Sequence, residues 1–275
     1  MSFPHLSKKS AACSPVLSLF LLVAALGGTA ADWPDARRAG PFICRADFSM
    51  QAVEPLLNDL VQLQIDLTRE LGVPPAKDEI QVYLFHDRET YDRYLKQQFP
   101  SVPFRRAVYI KQGGQGRVFA FRSPQFDVDL RHECTHALLH ASLNDIPLWL
   151  DEGLAGYFEL PGGQRASGNP HLRDIRWNVW LGIVPSMESL ERCVDVSKMG
   201  KAEYRDSWAW VCFMINGPAE AHEELVNYLR DLQRQNTPPD PMSARLKIRI
   251  PELHQSFAAH FKTGKTKPLP IGRLE

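Results

Sequence analysis

The order of sequence patterns along this chain of 275 residues predicts an α+β fold, in which a small, mostly antiparallel sheet is followed by a helical half. Patterns typical of β-strands are concentrated in the first half of the chain, at 41–48, 79–86, 106–111 and 117–122. Apolar residues at helical spacing dominate after that, over 126–143, 147–160, 186–192, 201–216, 219–234 and 250–262. Hydrophobic residues make up 44% of the chain and charged residues 23%, which is typical of a globular protein with a sizeable core.

Two further helices are predicted between the strands. Residues 52–71 carry apolar side chains at helical spacing and stop at Gly72, a residue suited to a C-terminal cap. The second helix begins at Asp87 and extends to about Gln98. Glycine, proline and polar residues predict a hairpin turn and two loops, at 112–116, 161–170 and 235–243.

The N-terminus has the features of a secretory signal peptide. Lys8 and Lys9 precede an apolar run, Val16 to Leu26, which is followed by small residues. We predict cleavage after Ala31 and export to the periplasm or the medium. The alternative is an uncleaved segment that anchors the protein in a membrane. The predicted organisation is a signal peptide, one folded domain and a flexible tail, at 1–31, 32–262 and 263–275.

The charge balance and the cysteine count restrict the class of protein. Lys and Arg total 32, and so do Asp and Glu, so no basic excess is present to bind nucleic acid. Four cysteines follow the predicted cleavage site, and an even number in an exported protein permits disulfides. Cys134 and Cys212 lie in apolar helical segments, where buried thiols are expected. If one disulfide forms, we predict that it joins Cys44 to Cys193.

Residues 132–136 read His-Glu-Cys-Thr-His and lie on the predicted helix 126–143. Residues four apart share one face of a helix, so His132 and His136 can bind one metal ion together. Glu133 is rotated by about 100° from His132 and can reach a water molecule at the metal as a general base, whereas Cys134 faces the core. Zinc suits this set of ligands best. Composition alone produces the pattern in about one protein in sixty, so a third ligand is needed to support a metal site.

A second segment supplies the candidate third ligand. Residues 147–159 read Pro-Leu-Trp-Leu-Asp-Glu-Gly-Leu-Ala-Gly-Tyr-Phe-Glu, and the proline is well placed to begin a helix. A short turn at 142–146 would fold this helix against the first and bring Glu152 to the metal. Gly153 and Gly156 are poor helix formers, which indicates close contact between helices. The alternative is that Glu152 only occupies the first turn of an ordinary helix.

HECTHALLH followed by PLWLDEGLAGYFE resembles the gluzincin zinc metallopeptidases, and within them the compact, exported peptidase-MA-like group. The resemblance covers 126–160 and, more weakly, 201–216. It implies a zincin-like fold, a peptide or protein substrate and zinc bound by His132, His136 and Glu152, with Glu133 as the general base. Thermolysin-type enzymes have an aspartate four residues beyond the glutamate ligand, where this chain has glycine. Asp127 and Asp151 therefore both remain candidates for orienting a histidine ligand.

Other parts of the site are predicted from its chemistry. Tyr204 is the first candidate for the donor that stabilises the oxyanion, and His222 is the second. The run 117–122 is expected to be an edge strand that pairs with an extended peptide. His140 is expected to be a histidine of the last helical turn rather than a ligand. The remaining polar groups of the metal helix, Asp129 and Arg131, are expected to be solvated.

The sequence therefore predicts an exported zinc-dependent peptidase. It acts on peptides or proteins, does not bind nucleic acid, and contacts a membrane only if the signal segment stays uncleaved. The alternative is a catalytically silent zincin-fold protein of the cell envelope that binds metal or a partner. A third interpretation is that the HExxH pattern is accidental in an envelope structural protein, which would require Glu152 to be coincidental too.

Overall fold

A five-stranded sheet and ten α-helices make up the part of the chain that the computed structural model describes, residues 33–234 and 239–263. The strands are β1 (Asp35–Ala39), β2 (Phe42–Ala46), β3 (Ile80–Phe85), β4 (Ala107–Gln112) and β5 (Gln115–Phe121). The helices are α1 (Glu54–Leu71), α2 (Arg88–Gln98), α3 (Phe126–Ser142), α4 (Leu148–Phe158), α5 (His171–Trp180), α6 (Met187–Glu191), α7 (Lys201–Asn216), α8 (Ala219–Arg234), α9 (Met242–Arg249) and α10 (Leu253–Thr263). The predicted signal peptide and residues 264–275 of the predicted tail lie outside the described residues.

The sheet is mixed, with the strand order β1-β2-β3-β5-β4. The two outer pairings are antiparallel, but β2–β3 and β3–β5 are parallel. The α+β class is confirmed, whereas the prediction of a mostly antiparallel sheet is wrong. The physical reason is that α1 returns the chain across the sheet between β2 and β3, and a helical crossover of this kind joins parallel strands.

The predicted hairpin is present, but its strands occupy different places from those expected. Gln112 pairs with Gln115, so the turn consists of Gly113 and Gly114 alone. Both glycines have positive φ, 60° and 80°, as a two-residue turn matching the strand twist requires. β5 lies between β3 and β4, so the prediction that 117–122 is an edge strand is wrong. The edge strand of this hairpin is β4.

Most predicted helices are present, and α1 ends at Gly72 in the left-handed conformation, with φ of 66°. α5 was not predicted, because its apolar residues are spread around the helix. Ile175 and Val179 are buried, whereas Trp177 and Trp180 are exposed, so the sequence shows no single apolar face. α9 was also missed, since its first residues fall in a proline-rich stretch predicted as a loop. Among the described helices, none is both long and apolar enough to cross a bilayer.

The four cysteines of the described chain are free thiols. The predicted pairing of Cys44 with Cys193 is therefore not formed. Cys44 is fully buried on an inner strand of the sheet, whereas Cys193 is half-buried just beyond α6. Cys134 and Cys212 are buried in helices, as predicted.

The contact between α4 and α7 is close because Gly153 has no side chain. A Cβ atom at this position would lie 2.7 Å from the Ser207 carbonyl oxygen and 2.8 Å from a methyl group of Val211. At Gly156, one turn further along, the nearest atom belongs to Trp208, at 3.9 Å. The expectation of tight packing is confirmed at Gly153, while Gly156 has room for a methyl group.

We expect Gly153→Ala to lower the free energy of unfolding by about 1–3 kcal/mol, because the added methyl group would force α4 and α7 apart. Gly156→Ala is the matched control, since the same substitution there meets only an ordinary contact and gains helix propensity. Denaturant unfolding of both variants measures the difference. Equal stability of the two variants would contradict this account of the helix contact.

Candidate metal centre

The turn between α3 and α4 brings the predicted metal ligands together. It contains Asp145, which takes the left-handed conformation with φ of 43°, a conformation that aspartate tolerates better than most residues. Pro147 then begins α4, and its carbonyl oxygen accepts hydrogen bonds from the N–H groups of Leu150 and Asp151. As a result α4 packs against α3, and Glu152 faces the two histidines of the HExxH segment.

Three ligand atoms converge on one point. The Nε2 atoms of His132 and His136 are 3.2 Å apart. The Oε2 atom of Glu152 lies 3.5 Å from the first nitrogen and 3.6 Å from the second. Three ligands of a tetrahedral zinc ion, each about 2.0–2.1 Å from the metal, are about 3.3–3.4 Å from each other. The three residues therefore match the size of a zinc site.

The remaining nitrogen of each histidine faces a carboxylate. The Nδ1 atom of His132 lies 3.0 Å from Glu159 Oε2, and that of His136 lies 2.9 Å from Asp151 Oδ1. In a neutral imidazole, a carboxylate partner places the proton on Nδ1 and leaves a lone pair on Nε2. Both Nε2 lone pairs then point at the same space, an arrangement that a cation satisfies.

The charges around this space favour a cation. Burial alone lowers the pKa of His132, but hydrogen bonds to Glu152 and Glu159 outweigh it and raise that pKa to about 9 in the metal-free protein. Burial raises the pKa of Glu152, but His132 and His136 outweigh burial and lower that pKa to about 2, so this carboxyl is ionised. Three carboxylates contact the two imidazoles, those of Asp151, Glu152 and Glu159, and the charge of Glu133 also acts on His132.

Asp151 is one of the two aspartates that the sequence offered for orienting a histidine ligand. It contacts both His136 and His140. Its Oδ2 atom lies 2.9 Å from His140 Nε2. Both separations are shorter than the spacing of ligands around one zinc ion, so we interpret His136, Asp151 and His140 as a polar chain, with a hydrogen bond at His140 and a close charge pair at His136. The other aspartate, Asp127, is exposed.

Glu159 is the residue of the centre that the sequence interpretation missed. It lies seven residues beyond Glu152, close to two turns of helix, so both face the same side. The presence of Glu159 two turns along the predicted helix 147–160 was the signal that could have identified it.

Arg131 is buried, contrary to the expectation that it is solvated. Its guanidinium donates hydrogen bonds of 3.0–3.2 Å to the carbonyl oxygens of Phe158, Glu159 and Leu160. These carbonyls at the end of α4 have no partner within their own helix, so Arg131 caps that end from α3. The cap fixes the position of Glu159 relative to His132.

Glu133 lies beside the centre in an open cleft of about 430 Å³, which His132 and Glu159 also line. Its Oε2 atom accepts a 2.7 Å hydrogen bond from the backbone N–H of Tyr109 in β4. Asp129 lines the same cleft, and its carboxylate holds Arg106 in a two-point ion pair of 2.7 and 2.8 Å, so it is not simply solvated.

The two candidates for an oxyanion donor lie in different places. Tyr204, in the first turns of α7, is half-buried close to the metal centre, where burial and the charge of Glu152 raise its pKa. His222 lies on α8, and its Nε2 atom is 2.7 Å from the Glu70 carbonyl oxygen of α1. Because that nitrogen is committed to the α1–α8 contact, the structure removes His222 from the candidates.

Comparisons with known proteins give similarity at the level of structure only. No protein-family model and no curated protein matches the sequence. Several M1 zinc metallopeptidases are among the solved structures that match.

One of these is the M1 zinc metallopeptidase from Deinococcus radiodurans, which matches with a TM-score of 0.47 and 16% identity over 85% of this chain and 52% of that one. A mutant from the same organism, bound to a Tyr-Ser-Ala substrate, gives 0.43 and 16% over 86% and 52%. A two-domain mutant bound to L-tryptophan gives 0.46 and 15% over 86% and 52%. The chain thus spans about half the length of these structures, and the proposal below rests on the geometry of its own site.

Proposed function

We propose that this protein is a zinc-dependent peptidase of the gluzincin type, within the compact peptidase-MA-like group. One observation carries the proposal. The Nε2 atoms of two imidazoles and the Glu152 carboxylate converge at the spacing of a zinc site, beside the Glu133 carboxylate in an open cleft. His132, His136 and Glu152 hold the metal, in a zincin-like arrangement.

Zinc held there would act as a Lewis acid, which polarises the carbonyl group of the substrate and lowers the pKa of a bound water molecule. Glu133 is the general base. The N–H of Tyr109 occupies its Oε2 atom, so Oε1 takes the proton from the attacking water and passes it to the departing amine. Tyr204 donates its phenolic hydrogen to the oxyanion that forms from the carbonyl. Its raised pKa keeps that hydrogen in place at neutral pH.

The substrate peptide pairs with β4, the edge strand beside the cleft. The N–H of Tyr109 points away from β5, towards Glu133, so by alternation the backbone groups of Ala107 and Lys111 also face this edge. An extended peptide can add to such an edge through main-chain hydrogen bonds. This arrangement transfers to β4 the role first expected of 117–122.

Export is part of the proposal and rests on the N-terminal sequence. The lysines, apolar run and small residues of 1–31 support a cleaved signal peptide, followed by the peptidase domain at 32–262. The protein is then periplasmic or secreted, or membrane-anchored if cleavage does not occur.

We expect Glu159→Gln to weaken zinc affinity by roughly 10–100-fold, because His132 loses the carboxylate that orients it and increases its basicity. Asp129→Asn is the matched control, since Asp129 lines the same cleft but binds Arg106 instead of a ligand. Competition with a chromophoric chelator measures both affinities. Unchanged affinity in Glu159→Gln would show that this contact does not tune the site.

The proposal is tested by measuring the zinc content of the purified protein and then its hydrolysis of a peptide library. Near one zinc per chain, with cleavage that a chelator abolishes and zinc restores, is the expected result. Zinc without cleavage of any peptide would favour the catalytically silent, metal-binding alternative. Absence of zinc even after reconstitution would refute the peptidase proposal.

A further inference from the structure

The end of α5 and the turn after it expose a group of large apolar side chains. We call this group the indole surface; it consists of Trp177, Trp180, Leu181 and Ile183, which are 60%, 68%, 51% and 53% exposed. The two indole rings stack with their centres 5.0 Å apart. Soluble proteins rarely expose a group of large apolar side chains, and such a group commonly marks a site of interaction with a protein or a membrane.

The indole surface is held rigidly by the other side of its helix. Ile175 and Val179 are buried in the core, and α5 packs against α7 and α10. The indoles are therefore presented outward by a well-packed helix, and no other element of the described chain covers them.

Arginines border the indoles. Arg173, Arg176 and Arg205 line a shallow cavity of about 660 Å³ together with Trp177 and Trp180. The only acid lining it is Asp174, which lies 3.6 Å from Arg173. Arg205 pairs with Asp206, whereas Arg176 has no carboxylate within 4 Å among the described residues. A surface that combines indoles with an excess of guanidinium groups complements the polar–apolar boundary of an anionic bilayer.

The indole surface lies at the opposite end of α5 from the residue of this helix that is nearest the metal centre. His171, at the start of α5, lies near Glu159 of the metal centre. Burial lowers the pKa of His171, and the negative charge of Glu159 partly offsets that effect. A helix of ten residues is about 15 Å long, so the apolar end of α5 lies roughly that distance further along. Leu181 and Ile183 extend the surface beyond the end of the helix.

We propose that the indole surface binds membranes containing anionic phospholipids. Trp177 and Trp180 enter the interfacial layer with Leu181 and Ile183, and Arg176 contacts lipid phosphate. The protein then works at the bilayer surface without spanning it. The proposal does not depend on the peptidase activity.

The test uses tryptophan quenching by vesicles whose lipids carry brominated acyl chains, which act only on indoles that enter the bilayer. Trp149, Trp208 and Trp210 are fully buried and will not respond. We expect quenching with phosphatidylglycerol in the vesicles, much weaker quenching with phosphatidylcholine alone, and loss of quenching in the Trp177→Ala/Trp180→Ala variant. Arg176→Gln should reduce the response to the anionic vesicles several-fold.

Two controls make the result specific. Trp33→Phe tests the half-buried indole nearest the N-terminal segment and should leave the quenching unchanged. Ile248→Ala removes an 81% exposed side chain on α9 and should leave vesicle binding unchanged. Thermal unfolding of each variant verifies the fold. Absence of quenching in the wild type, persistence of quenching in the double variant, or an indole response to soluble peptides but not to vesicles would each overturn the proposal.

Discussion

Replacing Glu133 by glutamine is expected to reduce peptide hydrolysis by roughly 10²–10⁴-fold while the zinc content stays near that of the wild type. The amide keeps the shape of the side chain, and its oxygen can still accept the Tyr109 N–H hydrogen bond. It cannot take a proton from water, however. Binding and catalysis should therefore separate in this variant: kcat falls, whereas KM and the zinc affinity change little.

The measurement is kcat/KM on a cleaved peptide together with elemental analysis of the same preparation. Asp129→Asn serves as the control, since it removes a carboxylate charge from the same cleft without touching the metal centre. It should retain most of the activity. Activity in Glu133→Gln similar to that of the control would exclude Glu133 as the base.

Glu152→Gln is expected to remove most of the zinc-dependent stability of the protein. A ligand present at a thousand times its Kd stabilises the folded state by about 4 kcal/mol, which raises Tm by several degrees. Glu152 supplies the only carboxylate of the three ligands and the only ligand from α4, so its loss leaves the two imidazoles of α3. The variant should unfold at the same temperature with and without added zinc.

Calorimetry of wild type and variant, each with zinc and with a chelator, provides this comparison. Glu89→Gln is a suitable control, because this glutamate is exposed on α2 and its ion-pair partner is Arg93, far from the metal ligands in sequence. It should keep the full zinc-induced shift. A zinc-induced shift in Glu152→Gln as large as in the wild type would mean that the metal binds elsewhere.

The fold was predictable where the determining interactions are local. The helix ending at Gly72, the hairpin at Gly113 and Gly114, and the two helices around the metal centre all follow from spacing and from residues that tolerate special backbone angles. Strand order was not predictable in this way. The insertion of β5 between β3 and β4 depends on contacts between segments far apart in sequence.

The site shows the same division. The spacing of four residues between His132 and His136 places both on one face of α3, and this could be read directly from the chain. The carboxylates that face the Nδ1 atoms of the two histidines could not be identified from the sequence, because their positions depend on the angle between α3 and α4. Asp151 could not be distinguished from Asp127, and the burial of Arg131 depended on the open carbonyls at the end of α4, which no local pattern reveals.

The hydrogen bond from the Tyr109 N–H to Glu133 has a mechanical consequence. β4 is held to the sheet by β5 alone, through a hairpin closed by two glycines. Any force that lifts this hairpin, or any ligand that shifts it, therefore also turns the Glu133 carboxylate. The Tyr109 ring also stacks on His140, and Lys111 donates a hydrogen bond to the His140 carbonyl oxygen, so a ligand bound along β4 acts on α3 as well as on the Glu133 carboxylate.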